Sequence, residues 1–282
     1  MKKYIIFFIF FLICLNICYS YNENYITNKK LNYISTENDN KIYKNKLGIL
    51  NYINDNFTVK IKSDDLIYVT DFLNNNFFNM LKNKIKNIAY RRKFQNNLFG
   101  KHSSGISKSE LEKMYDDGFV EPLNLYYSNE MTDFIGKILN KKINCTNPND
   151  DSTCSFVIYH LPNDNIEWHY DFNAYYGNRW TVLITIVNSN NNSNNLSSMK
   201  FCYKNKNKNK NKNKNKNKKD ICLESEENSL LLFNGSLMRH MTTNLKNNEL
   251  RIVLSLTYCD ACVMSSNIIY NVLEQIKYKL FY

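Results

Sequence analysis

The stretch EWHYDFNAYYGNRWTVLITIVN, Glu167 to Asn188, sets two polar residues ahead of a run rich in Val, Ile and Thr. The run from Trp180 to Val187 reads as a strand, because β-branched side chains fit a pleated surface. His169 and Asp171 stand two residues apart. Successive strand residues alternate faces, so positions i and i+2 can aim at one point. Alone, H-x-D is a weak signal, since such pairs arise by chance in many chains of 282 residues. The surrounding residues decide its meaning.

Downstream, Leu230-Leu231-Leu232-Phe233 reads as a buried strand that leads through Asn234-Gly235-Ser236 to His240. Eleven residues further on, Arg251 opens the strand RIVLSLTY. On that strand Arg251, Val253, Ser255 and Thr257 share one face, and Leu250, Ile252, Leu254 and Leu256 share the other. A charged residue on the less apolar face suits a lined cavity. Two histidines and one carboxylate are the donor set of non-haem Fe(II) sites, and they leave three coordination positions open. A buried arginine supplies a two-pronged counter-charge for a chelating acid.

The remaining elements frame this constellation. Phe156–Tyr159, Met199–Tyr203 and Ser229–Phe233 read as further strands. From Asp65 to Phe94, Leu66, Val69, Phe72, Leu73, Phe77, Leu81 and Ile85 recur at helical spacing and predict one or two helices. Ser109-x-x-Glu112 fits a capping box for a helix that stops at Gly118. Phe119-Val120 reads as extended with Pro122 as punctuation, and another helix follows Ser128 with Met131, Phe134, Ile135 and Leu139 on one side. Asn267 to Tyr282 reads as a closing helix. Short strands with helices ahead and one behind predict a mainly β core in an α+β arrangement.

At the N-terminus Lys2-Lys3 precedes an apolar run, Ile5 to Leu15, followed by small and polar residues up to Ser20. Residues 1–20 therefore read as a secretory signal peptide, the run being short of the roughly 20 apolar residues a membrane span needs. This points to the endoplasmic reticulum lumen or the exterior, with no stable span after cleavage; an uncleaved signal anchor tethering the chain to a membrane is the alternative. Residues 21–62, rich in Asn and Lys without a period, read as poorly ordered. Residues 63–105 read as a helical N-terminal region, 106–265 as the main domain and 266–282 as the last helix.

Beyond the signal six cysteines remain, at 145, 154, 202, 222, 259 and 262. In an oxidising lumen an even set predicts disulfides. Cys145 with Cys154 and Cys202 with Cys222 are the natural local pairs, while Cys259-x-x-Cys262 lacks the second pair a zinc site needs. The net charge is +11, but Lys204 to Lys219 holds nine lysines, so the rest carries 11 − 9 = +2. Alternating Lys and Asn cannot bury apolar surface, so this insert reads as a disordered loop. It gives no reason to expect a specific nucleic-acid partner.

The segments FVIYHLPNDNIEWHYDF (Phe156–Phe172) and NSLLLFNGSLMRHMTTNLKNNELRIVLSLTY (Asn228–Tyr258) resemble the iron-binding halves of prolyl-4-hydroxylase-type 2-oxoglutarate/Fe(II) dioxygenases. The family's tyrosine has its counterpart in Tyr159, ten residues before His169. The resemblance implies a double-stranded β-helix, or jelly roll, in which His169, Asp171 and His240 bind iron, Arg251 pairs with the 2-oxoglutarate carboxylate and Tyr159 hydrogen-bonds the cosubstrate. It implies hydroxylation of a C–H bond, plausible on a peptidyl side chain such as proline of a protein or peptide substrate, with release of succinate and ascorbate as an accessory reductant.

There are departures. Asn163-Asp164-Asn165 stands where the family has a glycine. The strand after the metal pair lacks the usual tyrosine, leaving Thr185 to serve the cosubstrate. Ser197-Ser198 replaces paired glycines. Of the other residues, His102 reads as a surface histidine, His160 as core or surface, Arg179 as a surface or turn residue, Trp168 as core, and Asp164 and Glu167 as solvated carboxylates or supports of the ligands. A cupin-like metal enzyme and a non-catalytic binding protein on the same fold are the competing readings.

Overall fold

The computed structural model describes residues 51–63, 66–89, 103–146, 150, 153–173, 175–190, 196–204 and 220–263, all within one unit spanning Gly48–Val263. Along the chain run β1 (Thr58–Lys62), β2 (Leu66–Thr70), α1 (Asn75–Ala89), β3 (Ser104–Ile106), α2 (Lys108–Asp116), α3 (Glu121–Tyr127), α4 (Asn129–Leu139), β4 (Asn144–Cys145), β5 (Cys154–Tyr159) and β6 (Ile166–His169). There follow β7 (Arg179–Asn190), β8 (Phe201–Lys204), β9 (Asp220–Leu223), β10 (Ser229–Phe233), β11 (His240–Thr242) and β12 (Glu249–Cys259).

The strands form two antiparallel sheets. The larger has the order β1-β2-β10-β7-β12-β5-β3, with β4 also on β12; the smaller has the order β6-β11-β8-β9. This is the jelly roll expected from the sequence. One apolar cluster joins the sheets through Leu66, Tyr68, Leu231 and Phe233 of the larger and Phe201 and Tyr203 of the smaller. A second gathers Tyr159, Met199, Leu245 and Val253. Leu183 packs on both. The inner face of the larger sheet thus carries Tyr68, Leu183, Val253 and Tyr159, and the last of these lies directly opposite Arg251 across β5 and β12. Directly paired residues share a face.

The N-terminal part differs from its sequence reading. Leu66–Thr70 is a strand, not the start of a helix, and all five residues are buried. Helical spacing over a short apolar run does not separate helix from strand; the β-branched and aromatic content of LIYVT, sandwiched between β1 and β10, decides it. Residues 51–62 are ordered rather than poorly ordered. The backbone N–H groups of Tyr52 and Ile53 donate to the Glu130 carboxylate at 2.9 and 2.7 Å, an anchor 77 or more residues away with no local signal.

The capping box lies two residues earlier than the sequence suggested: Ser107 caps α2 and Glu110 returns the bond to its backbone. Gly118 takes φ +91, as a helix stop requires. Pro122 opens α3 instead of punctuating a loop, a position where its missing N–H costs nothing. Ser128 caps α4 as expected.

Cys202 and Cys222 stand opposite each other in the β8–β9 hairpin and form a disulfide with Cα atoms 4.0 Å apart. Cys259 and Cys262 are also joined. Cys145 and Cys154 are not. Their strands sit one after the other along β12, and the thiols point instead to α3, Cys145 donating to the Tyr126 carbonyl at 3.5 Å and Cys154 to that of Pro122 at 3.8 Å. The expected signal segment, His102, the insert beyond Lys204 and the closing helix lie outside the described residues. No described helix is long and apolar enough to cross a membrane.

Candidate metal centre

The antiparallel register of β6 and β11 places His240 directly opposite His169. Their rings lie 4.2 Å apart between centroids. Asp171 reaches the same point from a different support. β6 ends at His169, so strand alternation does not position the aspartate; its backbone N–H donates to the Gly235 carbonyl at 2.9 Å, which docks the loop onto the turn after β10. The Nε2 atoms of His169 and His240 then lie 3.5 and 3.6 Å from Asp171 Oδ1. The ligating atoms of all three residues fall within 4.8 Å of one another, the one His/Cys/Asp/Glu cluster of this kind among the described residues.

The surrounding contacts fix what these atoms offer. Nδ1 of His169 meets the Glu167 carbonyl at 2.8 Å, and Nδ1 of His240 meets the Met238 carbonyl at 2.9 Å. A carbonyl accepts only, so each Nδ1 carries the proton and each Nε2 presents a lone pair to the shared point. Thr181 donates its hydroxyl to Asp171 Oδ2, leaving Oδ1 as the oxygen that faces both imidazoles. Phe201 and Phe233 pack on the His240 ring at 5.6 and 4.8 Å. Burial holds the His240 pKa below its ordinary value, against the pull of Asp171, so the ring is neutral near pH 7. Burial would raise the Asp171 pKa, but His240, His169 and Arg179 outweigh it and hold the carboxyl well below the usual range. Two imidazoles turned by their backbone partners toward one fixed carboxylate oxygen fit a divalent metal of the iron type.

Arg251 is 2% exposed. Its Nη1 donates to the Met199 carbonyl at 3.0 Å and its Nη2 to Ser225 Oγ at 3.2 Å, while Nε has no hydrogen-bond partner and no carboxylate pairs with it among the described residues. Burial pulls its pKa below the ordinary guanidinium value, opposed by Tyr159 and Tyr68. Burying an uncompensated charge costs several kcal/mol, about 3–5 by the effect of removing a partner from a buried pair, so the group calls for an anion. Thr185 is buried on the same sheet, level with Val253.

Several residues stand elsewhere than their sequence reading. Arg179 is buried rather than a surface turn residue; it donates to the Phe172 carbonyl and to Thr257 Oγ1 at 3.2 Å, bracing the loop that holds Asp171. Trp168 is not core: it lies half-buried with Lys204 Nζ 4.8 Å and Arg239 Cζ 5.9 Å from its ring. Asp164 organises the β5–β6 turn by accepting from the N–H groups of His160 and Leu161 at 2.8 and 2.9 Å. Glu167 serves the site through its backbone carbonyl, not its carboxylate. Ser197 and Ser198, in place of glycines, are used: Ser197 donates to Asn188 and Ser198 to Glu249. Thr181, Gly235 and Arg179 escaped the sequence reading. For Thr181 a signal existed, since it precedes Leu183 and Thr185 on the inward face.

No family model matches the chain, and no curated protein matches it in sequence. Solved structures do share its fold. The non-haem α-ketoglutarate-dependent epimerase SnoN from nogalamycin biosynthesis superposes with TM-score 0.51 at 8% identity, over 70% of this chain and 79% of that one. AviO1 from Streptomyces viridochromogenes Tue57 gives 0.51 at 10% identity, over 72% and 93%. The carbocyclase SnoK, from the same nogalamycin biosynthesis, gives 0.50 at 7% identity, over 72% and 86%. The chain thus has the jelly-roll fold found in solved non-haem α-ketoglutarate-dependent enzymes.

Proposed function

We propose that this protein is an Fe(II)- and 2-oxoglutarate-dependent dioxygenase that hydroxylates a C–H bond, on a peptidyl side chain such as proline, and converts 2-oxoglutarate to succinate. The observation that supports it best is the convergence of two Nε2 lone pairs and one carboxylate oxygen, each with its other polar atom committed to the protein. In this reading His169, Asp171 and His240 would hold the iron, and Arg251 would bind the far carboxylate of 2-oxoglutarate with Tyr159 beside it. SnoN, solved with Fe3+ and α-ketoglutarate, is consistent with the fold accepting both.

When bound, the iron and its cosubstrate supply dioxygen activation and the electrons from oxidative decarboxylation. The chain's own work is positional. The backbone carbonyls of Glu167 and Met238 hold the imidazole tautomers, Thr181 keeps one carboxylate oxygen turned away, and Phe201 and Phe233 shield His240 from water. No residue needs to act as a general base. The peptidyl substrate rests on the sequence resemblance, and the two disulfides support a setting in the secretory pathway.

The test is iron-dependent succinate release from 2-oxoglutarate, with proline-containing peptides and ascorbate present, in wild type and His169→Ala. Release by the wild type alone is expected. Iron retention without 2-oxoglutarate affinity would favour a cupin-like enzyme. No iron-dependent turnover with any peptide would favour a binding protein.

A further inference from the structure

Tyr68 lies on β2, a strand outside both stretches that resemble the dioxygenases. It is 6% exposed and faces the interior between the sheets, packed with Leu231 and Phe201. Its hydroxyl oxygen accepts from the Glu226 backbone N–H at 3.0 Å. The neighbouring residue, Ser225, takes Nη2 of Arg251 at 3.2 Å. One short turn before β10 therefore receives both the phenol and the guanidinium, on the adjacent residues Glu226 and Ser225. Since the phenol oxygen accepts at Glu226, its own proton remains to be donated, and it has no acceptor among the described residues. A buried phenol proton and a buried guanidinium with an idle Nε, held by adjacent residues of one turn, form a two-point donor set for a carboxylate.

The tyrosine expected on β7 is absent, with Thr185 at its place. We propose that Tyr68 supplies the missing hydroxyl, donating a hydrogen bond to the distal carboxylate of 2-oxoglutarate alongside Arg251. The inference rests on the function proposed above and adds a contact from the N-terminal strand to it. It also gives β2 a role: the strand completes the acid pocket as well as extending the sheet.

The test measures binding of two acids to the full chain loaded with Mn(II), which does not turn over. One is 2-oxoglutarate; the other is 2-oxovalerate, of equal length but with a methyl group where the distal carboxylate stands. Tyr68→Phe keeps the ring and removes the proton. We expect its Kd for 2-oxoglutarate to rise about tenfold, the scale of one hydrogen bond to a charged group. Its Kd for 2-oxovalerate, its Mn(II) affinity and its melting behaviour should stay within about twofold or a few degrees of wild type. An equal loss for both acids would mark Tyr68 as structural only and overturn the inference. So would a selective loss in Thr185→Val with none in Tyr68→Phe. A wild type that binds Mn(II) but neither acid would sink the proposed function itself, an outcome distinct from a tyrosine variant that merely behaves like wild type.

Discussion

Gly235 has no room for a methyl group. A Cβ built there would stand 1.9 Å from Asp171 Oδ2 and 2.7 Å from Thr181 Oγ1. Any side chain must therefore push the aspartate from its place, although the glycine is itself no ligand. Gly235→Ala should lower divalent-metal affinity by more than about a hundredfold while leaving the β-rich circular dichroism spectrum unchanged, the upper end of what a ligand's supports contribute. Thr181→Val, which keeps shape but loses the bond to Asp171, should weaken Mn(II) binding by about ten- to a hundredfold, with Thr181→Ser close to wild type. Metal titration checks both. The grouping of the two histidines with the aspartate, and the burial of Arg251, were legible in the sequence because their spacing and residue types are unusual together. Gly235, Arg179 and Tyr68 were not, because each acts through a partner far along the chain that only strand pairing brings near.

At the level of elements, the ends of β12 and β7 are stapled through one carboxylate. Asp260 accepts from the Asn178 backbone N–H and side chain, both at 2.7 Å, and pairs with Lys141 at 2.9 Å. Partial burial opposes its charge, but these donors outweigh it and lower its pKa. A folded-state value below the unfolded one, near 3.9, stabilises the fold above that pH and stops doing so as pH falls through the folded value. Asp260→Asn should therefore reduce stability at pH 7 by about 1–2 kcal/mol and flatten its decline below about pH 4, as read by urea titration across pH. The β8–β9 hairpin offers a second case. Replacing Cys202 and Cys222 by alanine should cost about 3 kcal/mol in the same assay, the magnitude for a loop of 20 residues. The long central strands were readable because β7 and β12 are long runs rich in Val, Ile, Leu and Thr, buried on both faces. The short ones were not: β6 and β11, four and three residues long, carry too few positions to show a period, and LIYVT in β2 mimicked one turn of a helix.

For the molecule as a whole, metal occupancy and stability are one linked equilibrium. A divalent ion at a hundred times its Kd should add about 2.7 kcal/mol to unfolding free energy, so Mn(II) should raise the melting temperature of wild type and leave His169→Ala unmoved. Thermal denaturation with and without a chelator reads this directly. The charge of the molecule follows a separate logic. Nine of the lysines behind its +11 lie between Cys202 and Cys222, the two cysteines that a disulfide joins across the β8–β9 hairpin. A covalent knot closes that loop in the folded and the unfolded chain alike, so the logarithmic entropy of closure, about 0.6 kcal/mol for each doubling of length, falls on both states and cancels. Chains carrying more or fewer Lys-Asn units between these cysteines should therefore differ in isoelectric point and still melt at the same temperature.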